Sequence, residues 1–465
     1  MFLAVACERG GASVVGSSSP ASPGAANSGQ GMAGSQGASG SAPQPVGAVG
    51  AGGMAGGADG GGGGQAAAAG ASGAGGGDSG GPCAFKKSVW VTPIPAGATS
   101  LSARDGKVLV SSTGMVDCRF SFFDAADGHM LWSRAISKLG GECSVRDGGL
   151  VSPTDNGAVV LLKVVGAHTI DGITIDAAGA TAMYPATVVA HLDSNGLVTW
   201  AHVIGTTLNP WHVRVAAIAD DRFVVTGMHP AGTPLAFGTH TLDATADPRG
   251  FVAVVGLDGT WKSAASLALI PESVTVDASG TGFASFLSKA TAHVVGTFDV
   301  AGNIPWTTTL GDPAGGATIS AEAMLGSEGV FAGELSSKLS LFPGQQLQPI
   351  AGHNGLLVRF APPGLAWAHV LDGVGNHAPR VRGVFPNGHF LVTTQSAFGQ
   401  FDNAYGVMFW RYRPDGSWQI NTGLGPCTFT GVDAAVVDNE HIVVVSSFEG
   451  GSIPGQLSSQ YFFHP

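Results

Sequence analysis

The sequence predicts an all-β chain: a seven-bladed β-propeller closed by its N- and C-terminal strands, preceded by a long disordered tether. Three observations carry this prediction. The first eighty positions are dominated by Gly, Ala and Ser. Everything beyond Cys83 reads as short β-branched runs separated by turn residues. Along that second part, a hairpin carrying tryptophan recurs.

The tether comes first. From about Gly10 to Gly81 the chain has no aromatic residue and no hydrophobic periodicity, as in "GGADGGGGGQAAAAGASGAGGGDSGG". Such a segment cannot bury enough apolar surface to offset its ordering entropy. A Gly-rich coil of about 75 residues has a root-mean-square span of roughly 45–50 Å, enough to hold a folded head clear of a surface. The expected organisation is an N-terminal segment at 1–7, a disordered linker at 8–82 and a folded domain at 83–465.

Composition narrows the partners. Charged residues make up 11% of the chain, and 32 acidic against 21 basic residues leave a formal charge of −11. No stretch concentrates Lys and Arg, so the phosphate-neutralising patch that DNA or RNA binding needs is missing. A polybasic anchor on anionic lipid is excluded for the same reason. No apolar run is long enough for a transmembrane helix. A monomer is expected.

The five cysteines are Cys7, Cys83, Cys118, Cys143 and Cys427. None forms a CxxC pair or a zinc-ligand spacing. Cys7 follows the apolar stretch "MFLAVA", and the resulting "AVAC" resembles the lipobox of bacterial lipoproteins, with Ala4 where Leu is commoner. That resemblance implies acylation of Cys7 and a place in the cell envelope, on the outer membrane or outside it. Six residues are too few for a charged n-region plus an apolar h-region, so a genuine box implies a start upstream of Met1. With Cys7 set aside, four cysteines remain, an even number that in an exported chain predicts two disulfides. The expected pairs are Cys83–Cys427 and Cys118–Cys143.

Within the folded part, "KVLVSST", "RFVVTGM", "FLVTTQ" and "HIVVVSSF" are short strands, each just after a polar turn. Six endings share one plan: "FSFFDAADGHMLWSRAI", "VVAHLDSNGLVTWAHVI", "VAVVGLDGTWKSAASL", "VVGTFDVAGNIPWTTTL", "LLVRFAPPGLAWAHVL" and "FWRYRPDGSWQINTGL". Each is a strand, a tight turn with Gly, then a strand containing Trp132, Trp200, Trp261, Trp306, Trp367 or Trp418. A repeat of this size built of four short strands is the pattern of a propeller blade. One such sheet cannot bury both faces, whereas sheets stacked radially bury one another. The remainder "KKSVWVTPI" at one end and three strands at the other complete a seventh blade. That closure removes two open edges.

The endings "GFVAVVGLDGTW" and "ATVVAHLDSNGLVTWAH" resemble the "fvakld…G…W" repeats of bacterial seven-bladed β-propeller proteins of the SBBP type, found in large Gly-rich lipoproteins of myxobacteria. The resemblance spans roughly residues 83–465 and implies architecture without implying activity. "FFDAADGHMLW" is also similar to the tryptophan-docking repeat of quinoprotein alcohol dehydrogenases. That family has adjacent cysteines beside its quinone, and this chain has none, so no quinone or other cofactor is expected.

Catalytic signatures are sparse. The Asp-bearing turns offer one or two oxygens where a calcium loop needs several at alternating positions, so they read as turn formers and no metal is expected. Fourteen histidines include no HExxH, and no GxSxG elbow occurs. His191, His202 and His369 flank repeat tryptophans and read as propeller-surface or inter-blade residues. Beyond Glu142, paired carboxylates would have to come from Glu272, Glu322, Glu328, Glu334, Glu440 and Glu449, all expected in turns or edges. Arg214 in "WHVRVAAIA", with Arg380 and Arg382 in "PRVRGVF", precede equivalent strands and form the candidate anion site at the channel mouth. The competing reading has each arginine paired with a neighbouring Asp. Two functions follow: a non-catalytic surface module binding protein or glycan through its loops, or an exported carbohydrate-active hydrolase or lyase.

Overall fold

A computed structural model describes residues 88–461 apart from 95–97, 114–116, 138–149, 153–156, 182–183, 206–212, 220, 288–292, 311–316, 326–327, 336–338, 343–344, 349–353, 372–376, 398–404, 425–428 and 449–454. Cys7, the linker at 8–82, Cys83, Cys143 and Cys427 lie outside the described residues. The described residues contain strands and turns but no helix.

The chain opens with β1 (Ser88–Ile94). The first sheet pairs β2 (Ala98–Arg104), β3 (Lys107–Thr113), β4 (Asp117–Asp124) and β5 (Met130–Ser137) in that order. Next come β6 (Leu150–Ser152) and β7 (Gly157–Val164), a small hairpin of β8 (Gly166–Ile170) and β9 (Ile173–Ala177), then β10 (Ala186–Leu192) and β11 (Val198–Gly205). Strands β6, β7, β10 and β11 make the second sheet. The third combines β12 (Arg214–Ala219), β13 (Arg222–His229), β16 (Arg249–Gly256) and β17 (Trp261–Leu267), with the hairpin β14 (Leu235–Phe237)–β15 (His240–Leu242) inserted. The fourth is β18 (Ile270–Val276), β19 (Thr281–Leu287), β20 (His293–Asp299) and β21 (Trp306–Leu310).

The fifth sheet takes β22 (Ala317–Leu325), β23 (Glu328–Leu335), β26 (Asn354–Ala361) and β27 (Gly364–Leu371), again around a hairpin, β24 (Leu339–Phe342)–β25 (Gln345–Leu347). The sixth is β28 (His377–Val384), β29 (Phe390–Ala397), β30 (Tyr405–Tyr412) and β31 (Trp418–Leu424). In the last, β32 (Phe429–Val436), β33 (His441–Phe448) and β34 (Gly455–Tyr461) are joined by β1, with Trp90 opposite Ser459 and Ile94 opposite Gly455.

These sheets form a β-propeller. Their first strands stand innermost: β2 packs on β6, β6 on β12, and so on through β18, β22, β28 and β32 back to β2. The blades are unequal. Six sheets consist of strands of five residues or more, whereas the second sheet's inner strand, β6, has three. Of the seven blades expected, six are therefore complete four-stranded sheets, and the other has only a three-residue inner strand.

Side-chain alternation explains why the strands read as continuous apolar runs. All eight residues of β7 are buried. Ala158, Val160 and Leu162 join Phe120 and Phe122 of the first sheet, while Val159 and Leu161 join Phe223, Phe237 and Phe251 of the third. A sheet buried on both faces has no polar side to alternate with. Each remaining pair of neighbouring sheets encloses its own core, down to Val443 and Val445 of the last against Val108, Val110 and Phe123 of the first.

The recurring tryptophan locks adjacent sheets. Trp90 Nε1 donates to the Ala125 carbonyl (2.9 Å), and Thr92 Oγ1 donates to that of Gly128 (2.9 Å), both in the β4–β5 turn. Gly128, at φ +71°, leaves room for the indole that any Cβ would take. The same dock places Trp200 Nε1 2.8 Å from the Leu257 carbonyl, Trp306 Nε1 3.2 Å from that of Pro363 and Trp367 Nε1 2.9 Å from that of Pro414. Trp132 lies against Gly196 in the corresponding place. Two tryptophans depart from the pattern. Trp261 meets Phe237 of its own sheet's inserted hairpin edge-on at 4.9 Å, and Trp418 is 58% exposed.

Candidate functional site

The three arginines expected just before equivalent strands lie within the inner strands themselves. Arg214 is the first residue of β12; Arg380 and Arg382 lie in β28. They stand on the third and sixth sheets, with β18 and β22 between them in the ring. Arg214 is half-buried and donates from Nη1 to the Val213 carbonyl at 3.1 Å. Arg380 is exposed.

Arg382 is engaged. It is the extra residue of a β-bulge between Val381 and Gly383, a distortion that re-aims a side chain. Its Nη1 lies 2.7 Å from Asp433 Oδ1 on β32, and its Nε donates to Thr393 Oγ1 at 3.0 Å. Asp433 Oδ2 also accepts from the Leu101 amide of β2 at 3.0 Å. One buried carboxylate therefore ties three successive inner strands, β28, β32 and β2, across the place where the chain ends meet. Asp433 and Thr393 did not stand out in the sequence, because their partners lie tens to hundreds of residues away.

The turn aspartates serve the turns. Asp193 Oδ1 accepts from the amides of Asn195 (2.8 Å) and Leu197 (2.9 Å), and Asp299 Oδ1 from those of Ala301 and Asn303 (2.9 Å each). Burial works against the charge on Asp299, but hydrogen bonds from the Asn303 side chain and the turn amides outweigh it and hold the carboxyl below the usual range. Asp193 behaves alike, through the amides of Leu197 and Asn195. Among the described residues, no three His, Cys, Asp or Glu side chains gather as a metal site.

One glutamate needs a correction. Glu272 and Glu322 are bulge residues on β18 and β22, the edge strands of their sheets, whereas Glu334 lies within β23, which has a paired strand on each side and is neither a turn nor an edge. Bulges break the alternation by which a strand is read, which hid these positions. Glu328 opens β23 and is bound by Arg359. Glu440 lies in an exposed turn, and Glu142 and Glu449 fall outside the described residues. The histidines also serve packing. His202 Nε2 donates to the Gly259 carbonyl of the next sheet (2.7 Å), whereas His191 Nδ1 meets Thr199 Oγ1 within its own sheet (2.7 Å). Cys118 is buried on β4, in the core between the first and second sheets.

No protein-family model matches the chain, and no curated protein matches it either. Solved structures do. The WD40 domain of Toxoplasma gondii coronin aligns with TM-score 0.45 at 8% identity, covering 80% of this chain and 86% of that one. The Dos1 propeller aligns with TM-score 0.42 at 10% identity, over 82% and 95%. The polysaccharide lyase Uly1 aligns with TM-score 0.43 at 8% identity, over 79% and 90%.

Proposed function

We propose that this chain is a seven-bladed propeller of the SBBP type, held at the bacterial cell envelope by a lipid on Cys7. It acts as a non-catalytic binding or scaffold module through its loops. The blade count rests on the interlocking cores and on the fourth strand that β1 gives the last sheet. The functional reading rests on a difference between the repeated turns and the inserted hairpins. At one end of the sheets lie the Asp- and Gly-bearing turns, whose carboxylates and tryptophan docks are spent on the scaffold; β1 begins and β34 finishes there, with Ser88 opposite Gln460 and Tyr461 opposite His441. The hairpins β8–β9, β14–β15 and β24–β25 interrupt only three of the described sheets. The tips of the first two reach the turn end along the outer strands, where Asp171 accepts from the Val198 amide at 2.9 Å and Phe237 meets Trp261, and their outward residues such as Thr174 and Thr241 stay exposed. Loops that differ on a repeated scaffold are where recognition resides.

The test is an array of bacterial surface glycans, probed with the wild type and with the exposed hairpin variants Thr174→Arg and Thr241→Arg. The reading expects binding that these variants lose at unchanged melting temperature. Release of reducing or unsaturated sugar ends over many turnovers would instead make the chain an enzyme. The anchor is tested by palmitate-analogue labelling of the chain expressed with its upstream sequence, which Cys7→Ala should abolish. The disulfides Cys83–Cys427 and Cys118–Cys143 are checked by peptide mapping without reduction; free thiols at these positions would remove them from the account.

A further inference from the structure

The sixth sheet buries a cation on its third strand, at the position that Arg359 holds in the fifth sheet and Gln460 in the last. Arg411 on β30 is 2% exposed, between Trp410 and Tyr412. Its guanidinium lies 4.1 Å over the Phe385 ring, and Nη1 donates to the Asn439 carbonyl of the next sheet at 2.6 Å. Its Nε donates to Nδ1 of His389 at 2.9 Å. The two turns also touch directly, through the Asn387 amide and Asn439 Oδ1 at 2.9 Å. At this point β30, the turn before β29 and the turn before β33 are joined.

A guanidinium has donors and no acceptor. Nδ1 of His389 must therefore keep its lone pair, which puts the ring proton on Nε2. Burial brings Arg411 down to about 10, so it stays charged at neutral pH. The groups facing His389 are Arg411 and Arg413 from β30 and its turn, Asp415 from the same turn and Gln419 from β31. Glu440 of the last sheet faces Arg411.

We propose that the Arg411–His389 contact is an acid-sensitive latch between the last two sheets. Protonating His389 turns the acceptor facing Arg411 Nε into a second donor, and the seam joined at Asn439 loosens. The sign follows from the environment. Burial, then Arg411 and Arg413, hold His389 below its ordinary value, against the opposing pull of Gln419 and Asp415. An unfolded histidine takes its proton near pH 6.5. The latch is therefore at full strength above that pH, and it weakens as pH falls toward the lower folded value, by up to tenfold per pH unit in the closed-to-open ratio.

Hydrogen exchange of the full chain at pH 7.5, 6.5 and 5.5, corrected for intrinsic rates, tests this on β29 and β33, with β7 and β13 as references. The wild type should lose protection at β29 and β33 alone as pH falls. His389→Asn keeps an acceptor at the Nδ1 position without titrating, so its exchange should match the wild type at pH 7.5 and stay there. Equal pH responses in the two proteins, or none in the wild type, would overturn the proposal. The wild-type imidazole titration, followed by NMR, gives an independent check. A midpoint at or above 6.5 for His389, or a loss of protection that is not complete once pH has fallen below that midpoint, would also sink it.

Discussion

Replacing Trp90 by alanine tests the ring closure at its most exposed joint. The indole is half-buried and hydrogen-bonded to Ala125. Full burial of an aromatic side chain removes roughly 150–250 Å² from water, so half of that at about 25 cal/mol/Å² is worth about 2–3 kcal/mol. The lost hydrogen bond adds about 1 kcal/mol. A propeller of this size has an unfolding entropy near 0.8 kcal/mol/K, so a loss of 3–4 kcal/mol lowers the melting temperature by about 4–5 °C. Trp418 supplies the internal control, because at 58% exposure the same area estimate puts its removal at about 2 kcal/mol, below the 3–4 kcal/mol of Trp90. Gly128→Ala places a methyl where the Trp90 ring sits and adds the strain of φ +71°, about 1–2 kcal/mol for a non-glycine residue. In the double variant the clash disappears and the strain stays, so the two losses should fall short of their sum by about 1–2 kcal/mol. Urea unfolding monitored by circular dichroism measures all three. Strict additivity, or equal losses for Trp90→Ala and Trp418→Ala, would refute the dock as the closing contact.

Asp433→Ala should cost about 3 kcal/mol in the same assay, because it strands Arg382 with little solvent access, and the double variant Arg382→Met/Asp433→Leu should recover at least half. The turn carboxylates of Asp193 and Asp299 are held below the usual value. Their contribution is therefore present above about pH 4 and lost as pH falls through the lower folded values. Melting temperatures between pH 5 and 2.5 should fall less steeply in Asp193→Ala/Asp299→Ala than in the wild type. A chain cut before Cys83 should stay monomeric by light scattering, whereas one cut after Ile94 bares the β34 edge and should associate.

What could be read from the sequence was whatever is local. The turn Asp and Gly and the strand Trp lie within ten residues of one another, and each does a job set by its neighbours: a carboxylate over turn amides, a positive φ, an indole on the next turn. Contacts between distant segments were not legible. Asp433 meets Leu101 across 332 positions, and nothing about "GVDAAVV" marks its aspartate as the tie between three strands. Arg411 could have been noticed as a charge between Trp410 and Tyr412 in "FWRYRP", but its partners His389 and Asn439 could not. The hairpins β8–β9, β14–β15 and β24–β25 have the same apolar, Gly-punctuated texture as the blades, so they passed as more of the same. The bulges that displace Glu272, Glu322 and Arg382 leave no compositional trace, because a single extra residue in a strand looks like any other.

The tryptophan dock has a consequence for how such a ring can grow or shrink over evolutionary time. Both halves of the dock recur in most of the sheets, the outer strand reaching for a turn that the following sheet repeats with small changes. A duplication or loss spanning one full period, wherever its breakpoints fall, leaves a tryptophan still facing a glycine turn at the new junction. The ring's seam follows the same rule, since β1 brings Trp90 to the first sheet's turn as any internal strand would. The number of periods is therefore free to drift until ring curvature forbids it, whereas on the inserted hairpins only the exposed residues, such as Thr174 and Thr241, can change without disturbing a joint.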